Sequence, residues 1–190
     1  MFKPFQSHQT SGVITEPQRG FSLVELMVVV ALMAILAGVA APSFKSMIEN
    51  YRVSGVTDSL TSALELTRAT AIQMNGNVSI AKIAGGACST DADWSCGWRV
   101  FLDTDGDGNF DSGETLIQDF AADGKVTVTR SVNSTFMMGN RWGQLNGINA
   151  AGFVLIPYGE STTSPAGKLV CMNAGGRIRT LKSEEYSVCP

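Results

Sequence analysis

Apolar residues follow three different patterns along the chain. From Phe21 to Ala41 they are nearly continuous, FSLVELMVVVALMAILAGVAA, and Glu25 is the one charge. From Val53 onward they recur at three- and four-residue steps, through Val53, Val56, Leu60, Ala63, Leu64, Thr67, Ala71 and Met74. Glu49, Arg52, Asp58, Glu65 and Arg68 fall mainly off that stripe. Together these patterns predict one long helix from about Ser22 to Met74, amphipathic in its second half, stopped by Asn75-Gly76-Asn77. Beyond it no helical period appears. Val78–Ala84, Gly97–Asp103, Thr115–Phe120, Lys125–Arg130, Thr135–Met138, Gly152–Pro157, Leu169–Asn173 and Arg177–Leu181 read as strands between Gly-rich turns. A helix followed by a run of strands predicts an α+β fold, with the amphipathic stripe packed on antiparallel sheet.

The residues before Phe21 are polar, with Lys3, Glu16 and Arg19 among prolines and hydroxyl side chains. A secretory signal is cut after its apolar region; here the polar-to-apolar junction comes before it. A cut at the junction would leave the apolar helix on the mature protein. That helix has about 20 residues, the length that spans a bilayer core. A carboxylate at the centre of such a span costs on the order of 3 kcal/mol. Glu25 lies close to the junction, where it is either a tolerated charge near a helix end or one half of an ion pair with a neighbouring amine.

Arg19-Gly20 followed by Phe21-Ser22-Leu23-Val24-Glu25-Leu26 resembles the processing site of type IV prepilins and type II secretion pseudopilins, and Pro42 falls where such helices commonly bend. The leader is long and weakly basic for that family. The resemblance implies cleavage between Gly20 and Phe21, N-methylation of Phe21 by a prepilin peptidase, and a role for Glu25 in assembly against the Phe21 amine of the adjacent subunit. The expected organisation is a leader over 1–20, a transmembrane helix segment over 21–42, an amphipathic helix segment over 43–76 and a β-rich globular domain over 77–190. Gly97-Trp98-Arg99-Val100-Phe101, an Asp/Gly turn, Gly113-Glu114-Thr115-Leu116-Ile117 and Gly176-Arg177-Ile178-Arg179 resemble the GspH/FimT branch. The function so implied is a minor pilin of a type IV pilus; the alternative is the minor pseudopilin H of type II secretion. Its partners would be other pilins or pseudopilins and the prepilin peptidase. It would cross the bacterial inner membrane once, with a periplasmic globular domain, before entering the filament.

Composition narrows the chemistry. The 190 residues leave enough chain beyond the anchor for one small domain. A net charge of −3 argues against coating nucleic acid with the whole surface, while allowing a local basic patch. His8 is the only histidine, so a processed chain would have none, and Ser-His or Cys-His catalysis and His-ligated metal are excluded. No enzyme is expected. Cys88, Cys96, Cys171 and Cys189 allow three pairings, of which Cys88–Cys96 and Cys171–Cys189 join sequence neighbours. Paired cysteines indicate an oxidising compartment.

Two segments carry candidate binding chemistry. Asp103, Asp105, Asp107, Gly108, Asn109, Asp111 and Glu114 follow the D-x-D-x-D-G-x5-E spacing of a calcium loop. The flanks read as strands rather than helices, and Asp and Gly favour tight turns without metal, so a solvated hairpin turn stands beside calcium as a reading. Near the end, Ala174-Gly175-Gly176 reads as a turn that sends Arg177 and Arg179 to one face of a strand and Ile178 to the other, with Lys182 nearby. The two arginines are either solvated edge-strand charges or phosphate contacts. The GspH/FimT resemblance associates Gly176, Arg177 and Arg179 with DNA capture for uptake.

Overall fold

The structure is a computed structural model that describes residues 20–190 except 86–87, 89, 122, 146–151, 174–175, 186–188 and 190, together with the backbone alone at 39–42. The proposed leader, Gly20 apart, and the tip of the Ala174-Gly175 turn lie outside the described residues. The chain divides into two compact units, residues 1–42 and 43–190, and helix α1 (Leu23–Gln73) contributes to both.

In the first unit α1 is apolar on every side. Leu23, Val24, Leu26, Met33, Ile35 and Leu36 are all exposed. A helix apolar all round belongs in lipid or against similar helices. Neither Leu23–Gly38 nor Ser43–Gln73 alone is long and apolar enough to cross a membrane; the two together pass as a candidate span by length and composition.

In the second unit α1 buries Val53, Leu60, Ala63, Leu64 and Ala71, with Val56 half-buried against the same cluster. Met74 is exposed, because the helix has already ended. Two buried hydroxyls on this stripe bond back one turn: Thr57 Oγ1 donates to the Val53 carbonyl (2.6 Å) and Thr67 Oγ1 to that of Ala63 (2.7 Å). The helix stops because Asn75, Gly76 and Asn77 all take positive φ, 59°, 110° and 57°. The Gly76 amide then reaches back to the Ala71 carbonyl at 2.7 Å.

Among the described residues eight strands follow: β1 (Val78–Lys82), β2 (Gly97–Leu102), β3 (Thr115–Ala121), β4 (Val126–Arg130), β5 (Phe136–Gly139), β6 (Gly152–Pro157), β7 (Lys168–Met172) and β8 (Ile178–Lys182). They form two antiparallel four-stranded sheets, ordered β3-β2-β1-β5 and β4-β6-β7-β8. The Cys88–Cys96 loop links them: Asp93 bridges to Thr129 of β4, and the Trp94 amide donates to the Val128 carbonyl at 2.9 Å. Trp94 thereby enters the core edge-on to Phe153, with centroids 5.1 Å apart. Arg130 is buried beside both rings and donates to the Ser134 and Phe136 carbonyls. Burial draws its guanidinium pKa down to about 10. The stripe of α1 and the inward residues of both sheets share one core.

Candidate functional site

The basic segment sits on the hairpin β7–β8. Pairing runs from Lys168↔Lys182 to Met172↔Ile178. Beyond it, the Asn173 amide donates to the Arg177 carbonyl (3.2 Å), the Arg177 amide to Asn173 Oδ1 (2.9 Å), and the Gly176 amide to the Asn173 carbonyl (2.8 Å). Arg177 therefore sits at the turn, one residue before β8 begins. Arg177, Arg179 and Leu181 share one hollow of about 240 Å³ with Asn173 and the Cys171–Cys189 disulfide. Ile178 faces the core. Both arginines are exposed, and among the described residues neither has a carboxylate partner. Lys182 does not line the hollow; its ammonium lies 3.5 Å from Glu184.

Gly176 is held from below. Its φ is 78°, and a Cβ there would lie 2.5 Å from Cζ of Arg68. Arg68, on α1, donates from Nε to the Gly143 carbonyl (2.7 Å) and from Nη1 to the Gly176 carbonyl. One guanidinium thus ties the turn before β8 to the loop after β5. In the sequence Arg68 is one of the off-stripe charges; only the meeting of distant loops shows its role.

The acidic loop lies between β2 and β3, with strands on both sides. Asp103 is fully buried and accepts from Ser79 Oγ (2.6 Å), the Gly106 amide (2.7 Å) and the Gly108 amide (3.0 Å). Glu114 accepts from the Thr104 amide at 2.9 Å and the Asp111 amide at 3.1 Å. Asn109 donates its amide and its side-chain nitrogen to Asp107, which lowers that carboxyl's pKa. Gly108 is needed for packing as well as for its φ of 77°, because a Cβ would stand 2.1 Å from the Phe136 ring. Carboxylate oxygens of Asp103, Asp105 and Glu114 converge within 4.8 Å, as do those of Asp105, Asp107 and Asp111. The pKa of Asp111 is raised by partial withdrawal from water, and then by Asp107, Asp105, Glu114 and Asp103. The loop closes on its own amides, and the convergence of carboxylates alone assigns no cation to it.

At the start of α1, Ser22 and Glu25 form a capping box. The Glu25 amide donates to Ser22 Oγ (3.2 Å), and Glu25 Oε2 accepts from the Ser22 amide (3.2 Å) and hydroxyl (3.3 Å). The S-x-x-E spacing of Ser22 and Glu25 is the pattern that could have found this cap in the sequence. Gly20 and Phe21 are exposed beside it.

An apolar N-terminal helix that becomes amphipathic and runs into antiparallel sheets defines the pilin-like class. The family described as "Type II transport protein GspH" matches residues 56–177, and the "Prokaryotic N-terminal methylation motif" matches residues 17–41. The chain belongs to the GspH family. Its members are structural subunits, minor pilins or pseudopilins of type IV pili or type II secretion, anchored in a membrane and assembled with their like. Among solved structures, two crystal forms of the type IV minor pilin FimU of Pseudomonas aeruginosa share the fold. One has a TM-score of 0.52 at 18% identity, covering 72% of this chain and 96% of FimU. The other has a TM-score of 0.55 at 16% identity, covering 73% and 92%. The minor pseudopilin EpsH from the type 2 secretion system of Vibrio cholerae has a TM-score of 0.47 at 13% identity, over 69% of this chain and 97% of EpsH. No curated protein sequence matches the chain.

Proposed function

We propose that this chain is a minor pilin of a type IV pilus and that its β7–β8 hairpin takes the phosphate backbone of DNA. Prepilin peptidase cuts between Gly20 and Phe21 and methylates the new Phe21 amine. Residues 21–42 hold the subunit in the inner membrane, with the globular part in the periplasm. During assembly Glu25 exchanges its local cap for the Phe21 amine of the adjacent subunit.

The observation that carries the DNA reading is the hollow shared by Arg177 and Arg179. Two guanidiniums without carboxylate partners among the described residues, lining one hollow from the turn and the strand that follows it, suit phosphate oxygens. With a net charge of −3 on the whole chain, binding per subunit is weak and salt-dependent. The test is a gel shift of the full chain in detergent with duplex DNA at low salt. Wild type should retard the duplex, and the double variant Arg177→Gln/Arg179→Gln should not. Equal retardation by both removes this site. The pilus assignment is tested separately by deletion. Loss of surface pili with secretion intact supports it; loss of secretion with pili intact assigns the chain to the type II machine instead.

A further inference from the structure

The loop after β5 carries an exposed aromatic ring, and Arg68 ties its backbone to the turn that carries Arg177. Trp142 is 76% exposed, whereas Trp94 and Trp98 are buried in the core. The loop that carries it is held firmly. Asn140 Oδ1 accepts from the Trp142 amide (2.9 Å) and the Gln144 amide (3.0 Å), and the Asn140 amide donates to the Gln144 carbonyl (2.9 Å). Gly143, with φ 69°, presses on α1 so closely that a Cβ would meet Ile72 at 2.9 Å. The Arg68 guanidinium bonds the Gly143 and Gly176 carbonyls together, so the backbones carrying Trp142 and Arg177 are neighbours. Arg141, exposed beside Trp142, has no carboxylate partner among the described residues.

We propose that Trp142 is a stacking platform for a base of single-stranded DNA whose phosphates lie on Arg177 and Arg179. A polyanion with flat apolar faces matches both halves of this surface. A duplex, with its bases stacked inside, would use the arginines alone. Ile72 and Met74 are also exposed on this side of α1 and in the turn that follows it, so contact with another pilin is the competing use. Arg141, Arg177 and Arg179, without carboxylate partners among the described residues, favour the nucleic acid.

This inference rests on the proposed DNA reading, and the experiment separates the two. The full chain in detergent is titrated with oligo-dT, with a duplex of equal length and with inorganic polyphosphate, recording tryptophan fluorescence and affinity. Only oligo-dT should quench, and it should quench one of the three tryptophans. Trp142→Ala should lower oligo-dT affinity about 5- to 150-fold and leave duplex affinity within about twofold, the loss of one stacked base. Trp142→Phe should recover most of the loss. If Trp142→Ala leaves oligo-dT affinity unchanged while Arg177→Gln/Arg179→Gln abolishes it, stacking is wrong and the phosphate site stands. If no nucleic acid binds the wild type, both readings fall. If Trp142→Ala blocks association with other pilins and leaves oligo-dT binding intact, the ring is a subunit contact and the proposal is overturned.

Discussion

The guanidinium of Arg68 occupies the space a side chain on residue 176 would need, 2.5 Å from the position of that Cβ, while it also holds the Gly176 carbonyl. Gly176→Ala therefore meets two penalties, a left-handed φ and a collision. It should cost about 2–4 kcal/mol in denaturant unfolding. In an Arg68→Ala background the collision is gone, and the cost of Gly176→Ala should fall to about 1–2 kcal/mol. Additive effects in this double-mutant cycle would show that the two residues do not touch.

Asp103 should be the costly acid of its loop. It is buried with three hydrogen bonds to accept, and Asp103→Ala should lose about 2–4 kcal/mol by leaving Ser79 and two amides without a partner. Asp103→Asn should lose less. Because these bonds close the loop from within, chelator treatment should leave the melting temperature unchanged. A chelator-induced drop would show that a cation supports the loop.

Asp111 should behave in the opposite sense. Its folded-state pKa lies above the ordinary carboxylate value, so in that window the folded chain holds more proton than the unfolded one. Stability then falls as pH rises through the window, and ionised Asp111 opposes folding at neutral pH. Asp111→Asn should raise the melting temperature at pH 7, and the gain should vanish in acid. A gain that persisted at acid pH would point to a cause other than charge.

The disulfides close loops of 8 and 18 residues in sequence separation. Replacing Cys171 and Cys189 by Ser should cost about 3 kcal/mol, and replacing Cys88 and Cys96 slightly less. The second pair carries a further consequence, since Trp94 lies within its loop. Near-ultraviolet dichroism should report disturbed Trp94 packing in that variant and not in the first.

The eight strands and the end of α1 were legible because local chemistry decides them. Asn75-Gly76-Asn77 can adopt positive φ, and Gly-rich turns separate β-branched runs. Partition into two sheets was not legible. β5 leaves its sequence neighbours β4 and β6 to join β1, a pairing between segments more than fifty residues apart that no local pattern announces. The arginine pair could be read from period two alone. What supports it could not: Arg68 bonds carbonyls 75 and 108 residues away, and Trp142 becomes significant only through that bridge.

Assembly should be separable from processing. Glu25→Gln is expected to be cut at Gly20–Phe21 like the wild type and then fail to enter filaments, read by the size of the chain and by its absence from sheared pili. Entry of the variant at wild-type levels would remove the proposed ion pair.

The capping box at Ser22 gives this step a particular thermodynamic character. In the free subunit the Glu25 carboxylate already has donors, so the proposed contact with a neighbour would be an exchange of partners. The helix start survives the exchange, because Ser22 Oγ still accepts from the Glu25 amide. On the proposed assembly contact, a subunit that leaves the filament returns Glu25 to the donors of its own first turn.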